Sequence, residues 1–427
     1  MTSSEGVVFI LPYGRTAQLV VLPPTARVTL LEPVEDLLAS PSDRLIATAL
    51  AEPIGSPPLA ECVRGAGQVM VVVSDRTRPC PSAQLLPPLL DSLNAAGVPD
   101  ERTTVLCALG SHRRQTDGER RALVGEAVWR RVRVLDSDPE DTCPLGTTSP
   151  GAPVEIDRRL LEADAVVAVG NVEYHYFAGY SGGLKGIVPG CASLRTIGAN
   201  HSLMTRPGAV AASLESNPVR MDLEEAARGV NVPFILNAVL DGAGRIAAVV
   251  AGDPIAAHRA CCRILDGRNK ARLAAPVPVV VASAGGHPKD MDLYQAQKAL
   301  DNAARALTAG GTLVLVASCE EGLGHPTFAR WMQEEPDPAS RIRRLEHRFV
   351  LGGHKAAAVS RVMLHAGQIA LVSSLPPKEV ERLGFVPYPS TQAAVDAALA
   401  HHGSDAAVVV MPHAAATLPI LSETQSI

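Results

Sequence analysis

Aromatic side chains are scarce in this chain, at 3% of its 427 residues. The core must therefore be aliphatic, and any local crowd of rings asks for a reason. A basic excess is missing as well: 39 Lys and Arg face 44 Asp and Glu, for a formal net charge of −5. No nucleic-acid surface is expected from that balance. Basic runs such as Arg113-Arg114 and Arg341 to Arg344 sit beside acidic or apolar residues and read as solvated helix faces. The eight cysteines include no C-x-x-C pair, which excludes a zinc ribbon and argues against a disulfide framework. Free thiols suit a reducing cytoplasm. Residues 1–15 have no basic run ahead of their short apolar stretch, so no signal peptide is expected. The longest apolar stretch, 406–421, is broken by Pro412, His413 and Pro419 and is too short to span a bilayer. A cytoplasmic protein with neither nucleic-acid nor membrane partners is the expectation.

Aliphatic residues are plentiful, and hydrophobic residues reach 47% of the chain. Short Val-rich runs predict strands at 69–74, 104–109, 132–135, 165–169, 279–282, 312–317, 369–373 and 406–411. Longer amphipathic patterns predict helices at 82–96, 118–131, 254–266, 293–309, 327–334, 378–383 and 391–401. Continuous apolar strands alternating with helices indicate mainly parallel sheets covered on both faces, an α/β fold. A hairpin is expected at 234–250, turning at Asp241-Gly242. Ala274-Ala-Pro-Val-Pro is the best boundary, so residues 1–270 and 271–427 are expected to form two α/β domains. The active site is expected in the cleft between them.

Chemistry concentrates where strands end, as it does in open α/β sheets. Val71-Val-Val-Ser-Asp75-Arg-Thr77-Arg78-Pro places a carboxylate and a guanidinium just beyond three valines. Arg78 can hold a carboxylate or phosphate through two parallel bonds. His112 follows a second strand through Gly110-Ser111, and His175 follows a third. Two imidazoles on neighbouring strand ends suit a reaction that needs a proton acceptor on either face of a carbon. The scarce aromatics gather here, as Tyr174, Tyr176, Phe177 and Tyr180. They are expected to wall a small-molecule pocket.

Ser181-Gly-Gly-Leu-Lys185-Gly continues that third loop. It lacks the spacing of a nucleotide phosphate loop, yet its glycines free backbone N–H groups for an anion. Lys185 could be a phosphate partner, a Schiff-base amine or an acyl acceptor, and the residues alone do not choose. Tyr294, Gln295 and Lys298 lie on about one helical turn in the second half. Gly352-Gly-His-Lys355 is a weaker motif of similar composition, and Cys191 and His287 take no role.

Taken in order, these blocks resemble the nickel-dependent lactate racemase family of 2-hydroxyacid racemases and epimerases. The resemblance runs from Ile54-Gly-Ser-Pro-Pro through Ser74-Asp-Arg-Thr-Arg-Pro79, Gly110-Ser-His-Arg113 and His175–Lys185. It continues through Pro189-Gly190, Asn200-His201, Tyr294-Gln-Ala-Gln-Lys298 and Gly353-His-Lys355. It implies a nickel-pincer nucleotide, a pyridinium mononucleotide with a thioamide arm joined to Lys185 and a thiocarboxylate arm. It implies His201 as the protein ligand to nickel and His112 and His175 as acid/base groups. Arg78 and Lys298 would hold the substrate carboxylate beside Tyr294 and Gln295. Asp75 and Thr77 would contact cofactor or phosphate. The implied reaction interconverts D- and L-2-hydroxy acids by hydride transfer through a 2-keto acid, with lactate or a longer monocarboxylate as substrate. Cofactor-synthesis enzymes would be its partners. Two alternatives remain: a sugar-acid epimerase or lyase that uses the histidine pair without nickel, and a non-catalytic small-anion binder.

Overall fold

The computed structural model describes residues 6–34 and 41–421. Two compact units result, one from the described parts of Met1–Val34 and Arg268–Ile427, the other from the described part of Glu35–Gly267. The partition expected from sequence gave the first 34 residues to the N-terminal domain. Of these, residues 6–34 group instead with the C-terminal half, because Arg27–Leu30 pairs in parallel with Ala407–Met411 at the edge of its sheet. A pairing between the two ends of the chain leaves no mark on local periodicity.

The unit within Glu35–Gly267 is built on a six-stranded sheet. Its centre is Val69–Ser74, in parallel register with Thr103–Ala108 on one side and Ala165–Asn171 on the other. Val69 to Val73 are buried, as are all residues of Ala165–Asn171. Such strands are covered on both faces, which is why they read as unbroken apolar runs. Helix Ser82–Ala95 supplies part of the cover with Leu85, Leu86, Leu89, Leu90 and Leu93, all fully buried. Burying each such side chain stabilises by about 1.5–3 kcal/mol. The expected hairpin is present as Phe234–Leu240 and Ile246–Gly252, antiparallel at the far edge.

The other unit also carries a six-stranded sheet, parallel throughout. Its strands, in spatial order, are Val386–Tyr388, Gln368–Val372, Leu307–Val316, Val277–Ser283, Ala407–Met411 and Arg27–Leu30. The fold class is therefore α/β with two mainly parallel sheets. All eight cysteines are free. Among the described residues no helix is long and apolar enough to cross a membrane.

Two helices differ from the sequence expectation. The 118–131 pattern is split into Asp117–Val124 and Glu126–Trp129. Gly125 stands between them at φ +81, a left-handed backbone that ends the first helix. The 293–309 pattern ends at Ala304, because Leu307 already starts the next strand. The N-terminal hairpin Val7–Tyr13 and Thr16–Leu22 and the helix Gly353–His365 have no counterpart among the predicted elements.

Candidate functional site

Three loops leave the carboxyl ends of adjacent parallel strands in the first of these units. Asp75 follows Val69–Ser74, His112 follows Thr103–Ala108, and the aromatic-glycine loop follows Ala165–Asn171. Ser74 and Ala108 are in register, so the first two loops start side by side. Gly190 draws the third loop in. A Cβ on it would stand 2.1 Å from the Gly186 oxygen and 2.8 Å from Ala108 Cβ. Its carbonyl accepts from Gly110 N at 2.8 Å.

The first two loops meet through side chains. His112 Nδ1 lies 2.7 Å from Asp75 Oδ2, and Thr77 donates to Asp75 Oδ1 at 2.8 Å. With Asp75 accepting at Nδ1, the Nε2 atom of His112 is left to face a ligand. Asp75 is buried, and burial pushes its carboxyl up. The hydrogen bond and charge of His112, with the charge of Arg78 and the Thr77 bond, outweigh that and hold it below the usual carboxylate value. A carboxylate fixing one imidazole nitrogen so that the other can move a proton is a recurrent acid/base device. Asp75 and Thr77 thus serve His112 directly, and contact with a cofactor would be additional.

His175 stands on a two-residue strand that pairs with Gly179–Tyr180. The hairpin requires glycine at 179: φ is +77, and a Cβ would fall 1.8 Å from the Ser213 oxygen. Ala178 N donates to His175 Nδ1 at 3.3 Å, which leaves Nε2 to carry the proton of a neutral ring. Phe177 packs edge-on against His175 at 4.5 Å and against His201 at 5.0 Å. The two buried imidazoles are therefore linked through one phenyl ring.

His201 lies near the end of helix Leu194–Ser202, which Ser193 caps by accepting from Thr196 N. Its Nδ1 is 3.2 Å from Asn200 Oδ1, and Asn200 donates to Asp222 at 2.8 Å and to the Val219 oxygen at 3.0 Å. Burial first, then the charges of Lys185 and Arg78, hold the His201 pKa at about 3. The imidazole is neutral at pH 7, the form that ligates a metal. The charges of Lys185 and Arg78 thus both act on His201.

Lys185 sits in the turn Gly183–Gly186. Gly182 and Gly183 have φ of +71 and +58. Gly183 N donates to Asn237 Oδ1 at 2.7 Å, and His258 Nε2 donates to the Ser181 oxygen at 2.8 Å. A Cβ on Gly183 would press the His258 ring at 2.8 Å. Neutral, buried His258 is thus part of the clamp around the lysine turn; burial first and the Arg220 charge second drive its pKa well down.

Two of the rings expected to wall a pocket do something else. Tyr174 and Tyr180 both donate to Asp266, at 3.1 and 2.8 Å. Burial and the Asp266 carboxylate keep both phenols protonated. Fully buried Arg220 donates to the carbonyls of Ala178 and Tyr180 and pairs with Glu224 at 3.6 Å. These contacts brace the loop. Asp266, Arg220, Asn237, His258 and Asp222 were missed by sequence reasoning, and Asn200, singled out beside His201, was given no role.

Tyr294, Gln295 and Lys298 belong to the other unit. They occupy the first turns of helix Leu293–Ala304, whose N-cap Asp292 accepts from Gln295 N at 2.7 Å. All three are half-buried. Among the described residues no group of three or more His, Cys, Asp or Glu side chains could hold a metal ion. The neutral imidazole of His201 and the amine of Lys185, whose charge acts on it, are chemically suited to a cofactor that brings a metal with it.

Comparison with known proteins agrees in extent. Residues 13–212 match the lactate racemase N-terminal domain and residues 273–418 the lactate racemase C-terminal domain. The lactate racemase of Thermoanaerobacterium thermosaccharolyticum is 35% identical over 306 residues, 70% of this chain and 71% of that protein. The lactate racemase of Lactiplantibacillus plantarum is 31% identical over 376 residues, 86% of this chain and 88% of that protein. The lactate racemase apoprotein structure from T. thermosaccharolyticum superposes with a TM-score of 0.89 at 29% identity, covering 97% of this chain and all of that one. A Thermotoga maritima protein shares the fold at a TM-score of 0.66 and 19% identity, over 90% of this chain and all of that one.

Proposed function

This chain belongs to the lactate racemase family, and on that premise we propose that it interconverts D- and L-2-hydroxy acids. The observation that carries the reading is the pair of differently held histidines. His112 is fixed at Nδ1 by Asp75, and His175 is fixed at Nδ1 by the Ala178 amide. Nε2 of His112 would accept a hydroxyl proton as the ring stands, and His175, whose Nδ1 accepts from Ala178, would take one only in its other tautomer. One takes the hydroxyl proton from the D acid and the other from the L acid. As C2 loses its hydrogen with both bonding electrons and the hydroxyl loses its proton, the substrate becomes a planar 2-keto acid. Return of the hydrogen to the opposite face, with the opposite histidine donating the proton, gives the enantiomer. General acid/base groups contribute about 10²–10⁴-fold to such steps.

Lys185 and His201 would hold the nickel-pincer nucleotide, Lys185 through its amine and His201 through Nε2. When bound, that cofactor supplies the acceptor and donor for the C2 hydride. Arg78 and Lys298 would bind the substrate carboxylate, with Tyr294 and Gln295 beside Lys298 on its helix. The other arginines of these loops, Arg76, Arg113 and Arg114, pair with Glu119 and Asp138, so none is set aside for a second carboxylate, and lactate or a somewhat longer monocarboxylate is the proposed substrate.

The test is racemisation of C2-deuterated D-lactate and its longer homologues by protein made with the cofactor-synthesis enzymes. Label should stay at C2 in both enantiomers, because that hydrogen does not enter solvent. Loss of label to water would indicate direct deprotonation, as in a nickel-free epimerase. No turnover of any 2-hydroxy acid would leave only an anion-binding role.

A further inference from the structure

The run Gly352-Gly353-His354-Lys355 plays no part in the chemistry above, yet its packing is demanding. Gly352 has φ +84, and a Cβ there would sit 2.4 Å from His325 Nδ1. A Cβ on Gly353 would sit 2.7 Å from the Trp331 ring. Only a glycine pair lets helix Gly353–His365 begin this close to both rings. His354 then turns back, and its Nδ1 accepts from Gly352 N at 3.0 Å. Lys355, one residue on, is buried at 6% exposure. Its ammonium lies 3.8 Å from the centroid of the Tyr294 ring and donates to the Tyr294 carbonyl.

Tyr294 is held by other partners as well. The His325 ring stacks with it at 5.5 Å and 24°, and Phe328 meets it edge-on at 5.6 Å. His325 is itself fixed, with Nδ1 accepting from Thr327 N at 3.2 Å. Asp292, the N-cap of the same helix, feels the Lys355 charge. A Cβ on Gly324 would stand 2.7 Å from the Asp292 carboxyl carbon, so this corner also needs glycine. A lysine that received substrate would keep its ammonium accessible. This one is buried against a ring face and a carbonyl, where an aromatic quadrupole and a lone pair both attract it.

We propose that Lys355 is a positioning residue, which fixes the ring angle of Tyr294 and the helical turn that presents Gln295 and Lys298, without touching substrate itself. The functional meaning rests on Tyr294 acting at the substrate, as proposed above; the positioning does not. A cation on the ring face also draws electron density from the phenol and makes its O–H a better donor.

The first arm of the test needs no activity. The six tyrosines are replaced by meta-fluorotyrosine, and Tyr294→Phe assigns the Tyr294 resonance by fluorine NMR. Lys355→Met should move that resonance and leave the other five in place. Lys355→Arg, which keeps a cation for the ring, should move it less. If Lys355→Met does not fold, Lys355→Arg must still shift that resonance and no other. An unmoved Tyr294 resonance overturns the proposal. The second arm is a double-mutant cycle in nickel-loaded enzyme. Lys355→Met should lower kcat/KM about tenfold or more in the native background and far less in the Tyr294→Phe background, because coupled residues are not additive. Full additivity would make Lys355 an independent substrate ligand and overturn the positioning role. If the native enzyme turns over no 2-hydroxy acid, the functional reading falls while the fluorine result still decides this one.

Discussion

Buried, neutral His201 makes the apoprotein acid-sensitive in a window that can be calculated. In the unfolded chain a histidine titrates near 6.5; in the folded chain burial, Lys185 and Arg78 hold His201 at about 3. Below pH 6.5 the unfolded state therefore binds a proton that the folded state refuses. The stability associated with His201 is complete above pH 6.5 and is lost as pH falls toward 3. The slope is about 1.4 kcal/mol per pH unit, or about 2 kcal/mol between pH 6.5 and 5. Against a domain stability of about 5–15 kcal/mol this is measurable. Asp75 does not confuse the window, because its lowered pKa keeps its own contribution intact until pH falls below the ordinary carboxylate value of about 3.9.

The assay is urea unfolding of nickel-free protein at pH 7 and pH 5, for the native sequence and for His201→Gln. The chain has two tryptophans. Trp129 lies in the same unit as His201 and Trp331 in the other, so a Trp331→Phe background makes fluorescence report on the relevant unit. The native protein should lose about 2 kcal/mol more than His201→Gln on going to pH 5. Other buried histidines, His258 among them, contribute equally to both proteins and cancel. Parallel pH dependences for the two would refute the claim that His201 is held neutral by its surroundings, and with it the argument that its nitrogen is ready for a metal.

Three further outcomes are expected. Asp75→Asn leaves His112 without its carboxylate and should cut racemisation by about 10²-fold or more while bound cofactor, read by intact mass, stays the same; loss of cofactor instead would return Asp75 to the cofactor. Lys185→Ala and Lys185→Arg should both lack the covalent adduct after expression with the cofactor-synthesis enzymes, and an adduct of full mass in either variant would exclude Lys185 as the tether. Gly179→Ala should destabilise by several kcal/mol or fail to fold, because its Cβ would overlap the Ser213 carbonyl; a thermal melt within a few degrees of the native protein would contradict the packing described.

How much of this could be read from the sequence depended on how local the determining interaction is. Val69–Ser74 and Ala165–Asn171 were legible because a strand buried on both faces must be apolar at every position. The split at Gly125 could have been read from the glycine alone. Arg27–Leu30 could not, since its partner lies at the other end of the chain. The same distinction runs through the site. His112, His175 and Lys185 announced themselves as reactive types on loops after strands. The pairing of Asp75 with His112 was hidden, although both residues were singled out, because it depends on the register of Ser74 with Ala108.

The least legible residues are those that hold the lysine turn. His258 is a lone histidine on a helix and Asn237 a lone amide inside a strand, and neither type at neither place signals a role. Their importance comes from the glycines they touch. At Gly182 and Gly183 the backbone turns through positive φ and comes so close to Asn237 and His258 that no Cβ would fit. A turn of this kind has little side-chain burial of its own and would be mobile if only its glycines determined it. The Asn237 bond to Gly183 N and the His258 bond to the Ser181 oxygen replace that missing packing. The flexibility that lets the chain bend around a ligand is thus countered from outside the motif, by residues whose side chains are spent on backbone groups. Glycine motifs in such loops therefore predict a second set of polar residues, distant in sequence and ordinary in type, and the place to look for them is opposite each glycine with positive φ.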